Sequence, residues 1–278
     1  MILVTGASGN LGRQVVQHLV ARGIPYVETV RSLDHTSTNS VVLDFLKPET
    51  FQWALQGCDR VFLMRPPAIS NTKATLNVFV DEARRSGVKQ IVFISVAGAG
   101  SNPVVPHHAV EQKLRHAPSG WTIIRPGFFM QNLEHAYLQD IKQDSRIYVP
   151  SGGARVAFVD VRDIAEIAVN ALIDPATHDQ KVYTITGPQA LSFVEVAGLL
   201  SKALNRQITY QPAGILGYMQ HLHRRGLPLA QVAVQTILHV GLRFGQSSNV
   251  TDLLQKLLGH KLHRMADYIQ TNRDKWAK

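Results

Sequence analysis

Residues 2–12 decide the fold: Ile2-Leu3-Val4-Thr5-Gly6-Ala7-Ser8-Gly9-Asn10-Leu11-Gly12. A short apolar run leads into a loop of the form G-x-x-G-x-x-G. Leu11, Val15, Val16, Leu19 and Val20 then recur at helical spacing up to Gly23. Strand, glycine turn and helix thus follow in the order of a dinucleotide-binding unit. In such a unit Gly6 permits the tight turn, Gly9 lets the backbone approach a pyrophosphate, and Gly12 lets the helix pack close to the sheet. The helix start offers free N–H groups and a positive dipole end to phosphate. Gly6, Ser8, Gly9, Asn10, Leu11 and Gly12 are the candidate residues of this loop.

Working outward, the next apolar runs are Tyr26–Val30, Val41–Leu43, Arg60–Met64, Gln90–Ser95 and Trp121–Ile124. They lack the in/out alternation of a half-exposed strand, as expected where both faces of a parallel sheet are covered. Amphipathic stretches at 48–55, 72–86 and 107–116 separate them. This alternation predicts an α/β fold, a doubly wound parallel sheet of Rossmann type. After residue 125 the pattern predicts helices over 128–142, 161–172, 192–204, 215–224, 229–242, 250–257 and 262–275. Short strands are expected at 147–149, 154–158 and 182–185. Ser192 with Glu195 three residues on reads as a capping box. The expected division is a dinucleotide-binding domain over 1–150 and a smaller, mostly helical cap over 151–278, with about 158–187 packing back on the first domain.

Length and composition agree with a globular chain. With 278 residues, 45% hydrophobic and 18% charged, it can bury a sizeable core and is not disordered. Its one cysteine, Cys58, excludes an internal disulfide. No apolar run reaches the roughly 18 residues of a membrane span, and the chain opens directly on a strand, so a cytoplasmic protein is expected. The net charge of +9 is uneven: from Lys202 onward eleven basic residues face three acidic ones. An apolar helix at 229–242 within this region is expected to be buried on several sides, with the charge on Arg224, Arg225, Lys261, Arg264, Arg273 and Lys275. Either a solvated face or an anionic partner accounts for such a surplus.

Arg31 follows the second strand, where an NAD enzyme usually carries an acid for the ribose hydroxyl. An arginine there suits the 2′-phosphate of NADP. Arg13 adds positive charge nearby, and Asp34 opposes it.

These residues resemble the NmrA-like family of atypical short-chain dehydrogenases/reductases. The likeness continues through Val42-Leu43-Asp44-Phe45, Val61-Phe62-Leu63-Met64-Arg65-Pro66-Pro67, Ser86-Gly87-Val88-Lys89-Gln90-Ile91-Val92 and Arg125-Pro126-Gly127-Phe128-Phe129-Met130-Gln131-Asn132. It extends through Phe158-Val159-Asp160-Val161-Arg162-Asp163 and Thr186-Gly187-Pro188 to Thr251–Leu258. The resemblance implies that Asp44 and Phe45 lie by the adenine, that Met64 and Arg65 line the cofactor, and that Ser95 sits at the cofactor edge. It implies NADP(H) as cofactor. It leaves activity open, because the family holds quinone and dye reductases alongside redox-sensing regulators.

Many short-chain dehydrogenases use a Tyr-x-x-x-Lys pair. The matching segment here is His107-His108-Ala109-Val110-Glu111. A glutamate cannot lower a phenol's pKa, and no phenol is present. Alcohol–ketone interconversion by that route is not expected. Hydride transfer to a flat conjugated acceptor such as a quinone needs mainly placement, and water can supply the proton. His107 is the catalytic candidate. Phe128, Phe129 and Met130 are candidates for an apolar substrate floor. Arg125 and the Asp160/Asp163 pair are expected to form structural ion pairs. The histidine spacings do not suit a metal. The expected function is an NADPH-dependent reductase of conjugated acceptors; the alternative is an NADP(H)-binding sensor without turnover. A homodimer or regulatory protein partner stays open. Neither a membrane nor nucleic acid is expected as a partner.

Overall fold

The computed structural model describes residues 1–32, 39–245 and 247–277. In chain order its elements begin with β1 (Ile2–Val4), α1 (Asn10–Ala21), β2 (Tyr26–Val30), β3 (Ser40–Val42), α2 (Phe51–Leu55) and β4 (Arg60–Met64). Then come α3 (Leu76–Arg85), β5 (Gln90–Ile94), α4 (Pro106–Arg115), β6 (Trp121–Pro126), α5 (Leu138–Asp144), β7 (Arg146–Val149) and β8 (Arg155–Ala157). They continue with α6 (Val161–Ile173), α7 (Pro175–His178), β9 (Lys181–Ile185), β10 (Ala190–Ser192), α8 (Phe193–Leu204) and β11 (Thr209–Pro212). The last are α9 (Ile215–Arg224), α10 (Leu229–Leu242), α11 (Leu253–Leu258) and α12 (Met265–Thr271).

The chain forms two compact units. One is Met1–Pro126 with Val161–Ile185; the other is Gly127–Asp160 with Thr186–Lys278. Residues 127–150, assigned from sequence to the first domain, therefore belong to the second unit. The reason is packing: Met130, Leu133, Tyr137, Ile141, Ile147 and Val149 all enter the second unit's core.

The first unit is built on a seven-stranded sheet in the order β3-β2-β1-β4-β5-β6-β9, parallel throughout. Side chains alternate across it with period two. Leu3, Val61, Leu63, Ile91, Phe93 and Ile123 meet Phe51, Leu55, Leu76, Phe79, Val110 and Leu114 from α2, α3 and α4. The residues between them, Val4, Phe62, Val92 and Ile124, are equally buried. They face the other layer, where α1 and α6 pack together and α6 lies on β4, β5 and β6. Coverage of both faces is why the strands read as continuous apolar runs. The strand order reverses between β1 and β4, and ligands of such sheets bind beyond the strand C-termini at that point.

The second unit has a core of its own, with two-stranded sheets β8–β10 (antiparallel) and β7–β11 (parallel). The strands on either side of Ser151-Gly152-Gly153 pair with these distant partners and not with each other. The helix expected over 128–142 is not continuous. Phe129 pairs with Val159, a 3₁₀ turn spans Met130–Glu134, and α5 begins at Leu138. Met130, Leu133, Tyr137 and Ile141 all face the core, so a spacing of three or four arises without one helix. Likewise 262–275 divides into α12 and a 3₁₀ turn at Arg273–Trp276.

Helix α10 corrects a further expectation. It buries a single stripe, Val232, Thr236, His239 and Leu242, while Val234, Ile237 and Leu238 are exposed. One apolar stripe is enough to seat a helix on a core; the remaining apolar residues stay at the surface.

Candidate cofactor and active site

The phosphate loop follows from local chemistry. Thr5 Oγ1 donates to the Phe62 carbonyl (3.0 Å) and accepts from the Met64 N–H (2.8 Å). This fixes the end of β1 against β4. The chain then turns at Gly6 (φ +67°), a conformation that favours glycine. The Gly9 N–H closes the turn on the Gly6 carbonyl at 3.0 Å. A Cβ on Gly12 would stand 2.1 Å from the Gly6 oxygen and 2.8 Å from the Ala7 Cα. Only glycine lets α1 approach this closely.

Gly9 is the N-cap of α1; no side chain caps it, and the first turn carries no acid. The first N–H groups of the helix lack intrahelical acceptors and carry the positive dipole end. This cradle fits a pyrophosphate. Gly6 and Ser8 are exposed, Gly9 and Asn10 half-buried, and Leu11 and Gly12 buried. With its side chain in the core, Leu11 offers the loop its backbone.

Arg31 directly follows β2 and is exposed, as is Arg13, whose Nη2 lies 3.5 Å from Asn10 Oδ1. Asp34 lies outside the described residues. Asp44 is half-buried beyond β3, and its Oδ1 accepts from the Leu46 N–H at 2.9 Å. Phe45, expected by the adenine, is buried. Its side chain packs edge-on against Phe51 and Phe79 in the core.

At the ends of β4 and β5 the structure brings together residues far apart in sequence. Glu111 is completely buried. Its carboxylate accepts from Arg125 Nε (2.9 Å) and Nη2, and from Ser95 Oγ (2.5 Å). Arg125 is thus in the structural ion pair expected of it. Its guanidinium also lies against Gly100, where any Cβ would collide with it. Glu111 holds the lysine place of the Tyr-x-x-x-Lys pattern, yet here it anchors a serine and an arginine.

One turn earlier, His107 Nε2 accepts from Arg65 Nε at 3.3 Å. Burial, reinforced by the Arg65 charge, pushes the His107 pKa down to about 4, so the ring is neutral at neutral pH and is not an imidazolium proton donor. The Arg65–His107 contact and the Glu111 lock had no local signal in the sequence, since their members lie on separate elements.

In the second unit, Phe128 and Phe129 are half-buried and Met130 is fully buried in the core. Phe128 meets Phe158 and His239 edge to face. His239 Nδ1 lies 2.7 Å from the Gln235 carbonyl, and its Nε2 lies 2.5 Å from Tyr137 Oη. Since a carbonyl only accepts, Nδ1 carries the proton and Nε2 accepts from Tyr137. Burial pushes the Tyr137 pKa up and the His239 pKa down to about 4. Neither residue was singled out from sequence. Among the described residues no cluster of metal-ligating side chains forms, and no helix is long and apolar enough to cross a membrane.

Comparison with known proteins agrees with this geometry. The NmrA-like family pattern matches residues 1–265. The chain is 32% identical over 286 residues to the NAD(P)H azoreductase of Xenophilus azovorans, covering 98% of each chain. The triphenylmethane reductase of Citrobacter sp., solved with NADP(H), superposes with a TM-score of 0.85 at 25% identity over 98% of this chain and 99% of that one. NmrA, a negative transcriptional regulator solved with NADP, shares the fold at a TM-score of 0.77 and 17% identity, over 97% and 94% of the two chains. The glycine cradle, the parallel sheet and the match along nearly the whole chain make this protein a member of the NmrA-like family.

Proposed function

We propose that the protein is an NADPH-dependent reductase that delivers hydride to a flat, conjugated acceptor of the quinone class. The observation that carries this reading is the Ser95–Glu111–Arg125 lock beside a neutral His107. A dinucleotide cradle stands with it, but the phenol–lysine pair of carbonyl reduction does not. NADPH, when bound, supplies the hydride. Gly6, Ser8, Gly9, Asn10, Leu11 and Gly12 hold its pyrophosphate, Arg31 its 2′-phosphate, and Asp44 with the Phe45 backbone its adenosine. Met64, Arg65 and Ser95 line the nicotinamide end. A quinone that gains hydride becomes a hydroquinone anion, which takes a proton from water, so no strong side-chain acid is required. The azoreductase and triphenylmethane reductase relatives support conjugated acceptors as the substrate class. Phe128 and Phe129 are the aromatic candidates for holding the acceptor.

The rival reading is a sensor that binds NADP(H) and regulates a partner without turnover. The same missing phenol–lysine pair favours it. NADPH oxidation measured with and without a panel of quinones separates the two. Turnover well above the protein-free rate is expected. Tight NADPH binding with no acceptor-dependent oxidation would select the sensor.

A further inference from the structure

Arg65 leaves the end of β4, and His107 lies in the first turn of α4, 42 residues later. Both stand at the end of the sheet where ligands of this fold bind. A guanidinium N–H can only donate. His107 Nε2, 3.3 Å from Arg65 Nε, is therefore the lone-pair nitrogen, and the single proton of the neutral ring sits on Nδ1. Arg65 is itself held: its Nη1 donates to the carbonyls of Pro66 (3.1 Å), Pro67 (3.1 Å) and Ile69 (2.5 Å). The turn after β4 grips the guanidinium, and the guanidinium grips the imidazole. Phe93 flanks the ring at 6.0 Å between centroids.

Glu111 shares the same face of α4 one turn on, but its oxygens are taken by Arg125 and Ser95. His107 is 9% exposed, and its Nδ1 is buried with no hydrogen-bond partner among the described residues. A buried donor left unpaired is costly, and such atoms are rare in native proteins.

We propose that Arg65 is a positioning residue that locks His107 as a neutral Nδ1–H donor, and that this donor serves a carbonyl oxygen of a bound ligand. That oxygen has two sources: the carboxamide of the nicotinamide, or the acceptor itself. The second source rests on the reductase reading above; the first does not.

The test is nitrogen NMR of the histidine-labelled, full-length protein at pH 7.5. In the wild type, His107 is expected to show a protonated Nδ1 and an unprotonated Nε2. A protonated Nε2, or a doubly protonated ring, overturns the proposal. This measurement needs no variant, so a poorly folding mutant does not weaken it. Arg65→Leu is expected to return the ring to a mixture of tautomers; an unchanged spectrum overturns the positioning role.

NADP⁺ is then added, followed by a benzoquinone. Movement of the Nδ1 signal with NADP⁺ assigns the oxygen to the carboxamide, and Arg65→Leu should then weaken NADPH binding about tenfold, the value of one hydrogen bond. Movement only with the quinone assigns it to the acceptor, and the about tenfold loss should then appear in kcat. A signal that moves with neither overturns the donor role. Movement with NADP⁺ in a protein that turns over no quinone would retire the reductase reading and leave this one standing.

Discussion

In the proposed reading, Arg31 is the residue on which cofactor choice turns. It follows β2 directly and is exposed, so its guanidinium is available to a phosphate arriving at the strand end. A charge-assisted hydrogen bond is worth ~1.5–3 kcal/mol, or about tenfold to a hundredfold in affinity. NADPH should bind more tightly than NADH by that factor, and Arg31→Ala should remove the preference. Titration of both cofactors against both proteins checks it; equal wild-type affinities refute the assignment.

Two histidines set an acid limit on the fold. His107 and His239 are held neutral, each with its pKa pushed down to about 4 by burial. Unfolded, each takes a proton near pH 6.5. Between pH 6.5 and 4 the unfolded chain binds more protons than the folded one, so stability falls as the pH falls. The contribution is complete above pH 6.5, and its loss across this window is up to about 3 kcal/mol per histidine. Urea unfolding at pH 7.5, 5.5 and 4.5 should show the decline, and His239→Asn should flatten part of it. A level profile would mean that these rings are accessible to protons in the native state.

At the scale of elements, local chemistry sets some boundaries and packing sets others. Helix α8 starts where its capping box says it should. Ser192 Oγ accepts from the Glu195 N–H at 3.2 Å, and Glu195 Oε2 accepts from the Ser192 N–H at 2.7 Å. Phe193, Val196, Ala197 and Leu200 of the same helix are buried in the second unit's core. Ser192→Ala should cost about 1 kcal/mol, read as a lower urea midpoint with an unchanged slope. A loss below a few tenths would show that burial alone sets the start of α8. Helix α10 is the contrary case. Its apolar residues exceed one stripe, but a helix seated on a core by one face has no further use for them, and composition alone does not tell the buried stripe from the exposed one.

At the scale of the molecule part of the basic surplus is paired or hydrogen-bonded within the protein. Arg225 pairs with Asp140 and Asp144, Lys275 with Glu134, Lys256 with Asp252 and Arg273 with Asp274. Arg206 donates to the Ile141 and Trp276 carbonyls, and Arg243 to those of Pro150 and Ala213. Of the six basic residues expected on the surface, Arg224, Lys261, Arg264, Arg273 and Lys275 are exposed and Arg225 is half-buried. Phosphate binding needs many free cations acting together, and the affinity they produce falls steeply with salt. Weak duplex-DNA binding at low salt, vanishing at physiological salt, is therefore expected in a fluorescence anisotropy titration at two ionic strengths. Tight binding abolished by Arg264→Glu would contradict this.

What the sequence determined by itself is whatever rests on contacts near in the chain. The G-x-x-G-x-x-G turn, the strand–helix alternation, the capping box at Ser192 and Arg31 at the end of β2 each depend on a few neighbouring residues and backbone geometry. The tertiary structure alone decided the rest. It placed Arg65 on His107, Ser95 and Arg125 on Glu111, and Tyr137 on His239; it turned Phe45 into the core and moved residues 127–150 into the second unit. These outcomes depend on which elements pack together, and that is settled by burial summed over the whole chain. Hydrophobic burial is non-directional, so a local apolar pattern says that a residue goes inside without saying which partner it will meet there.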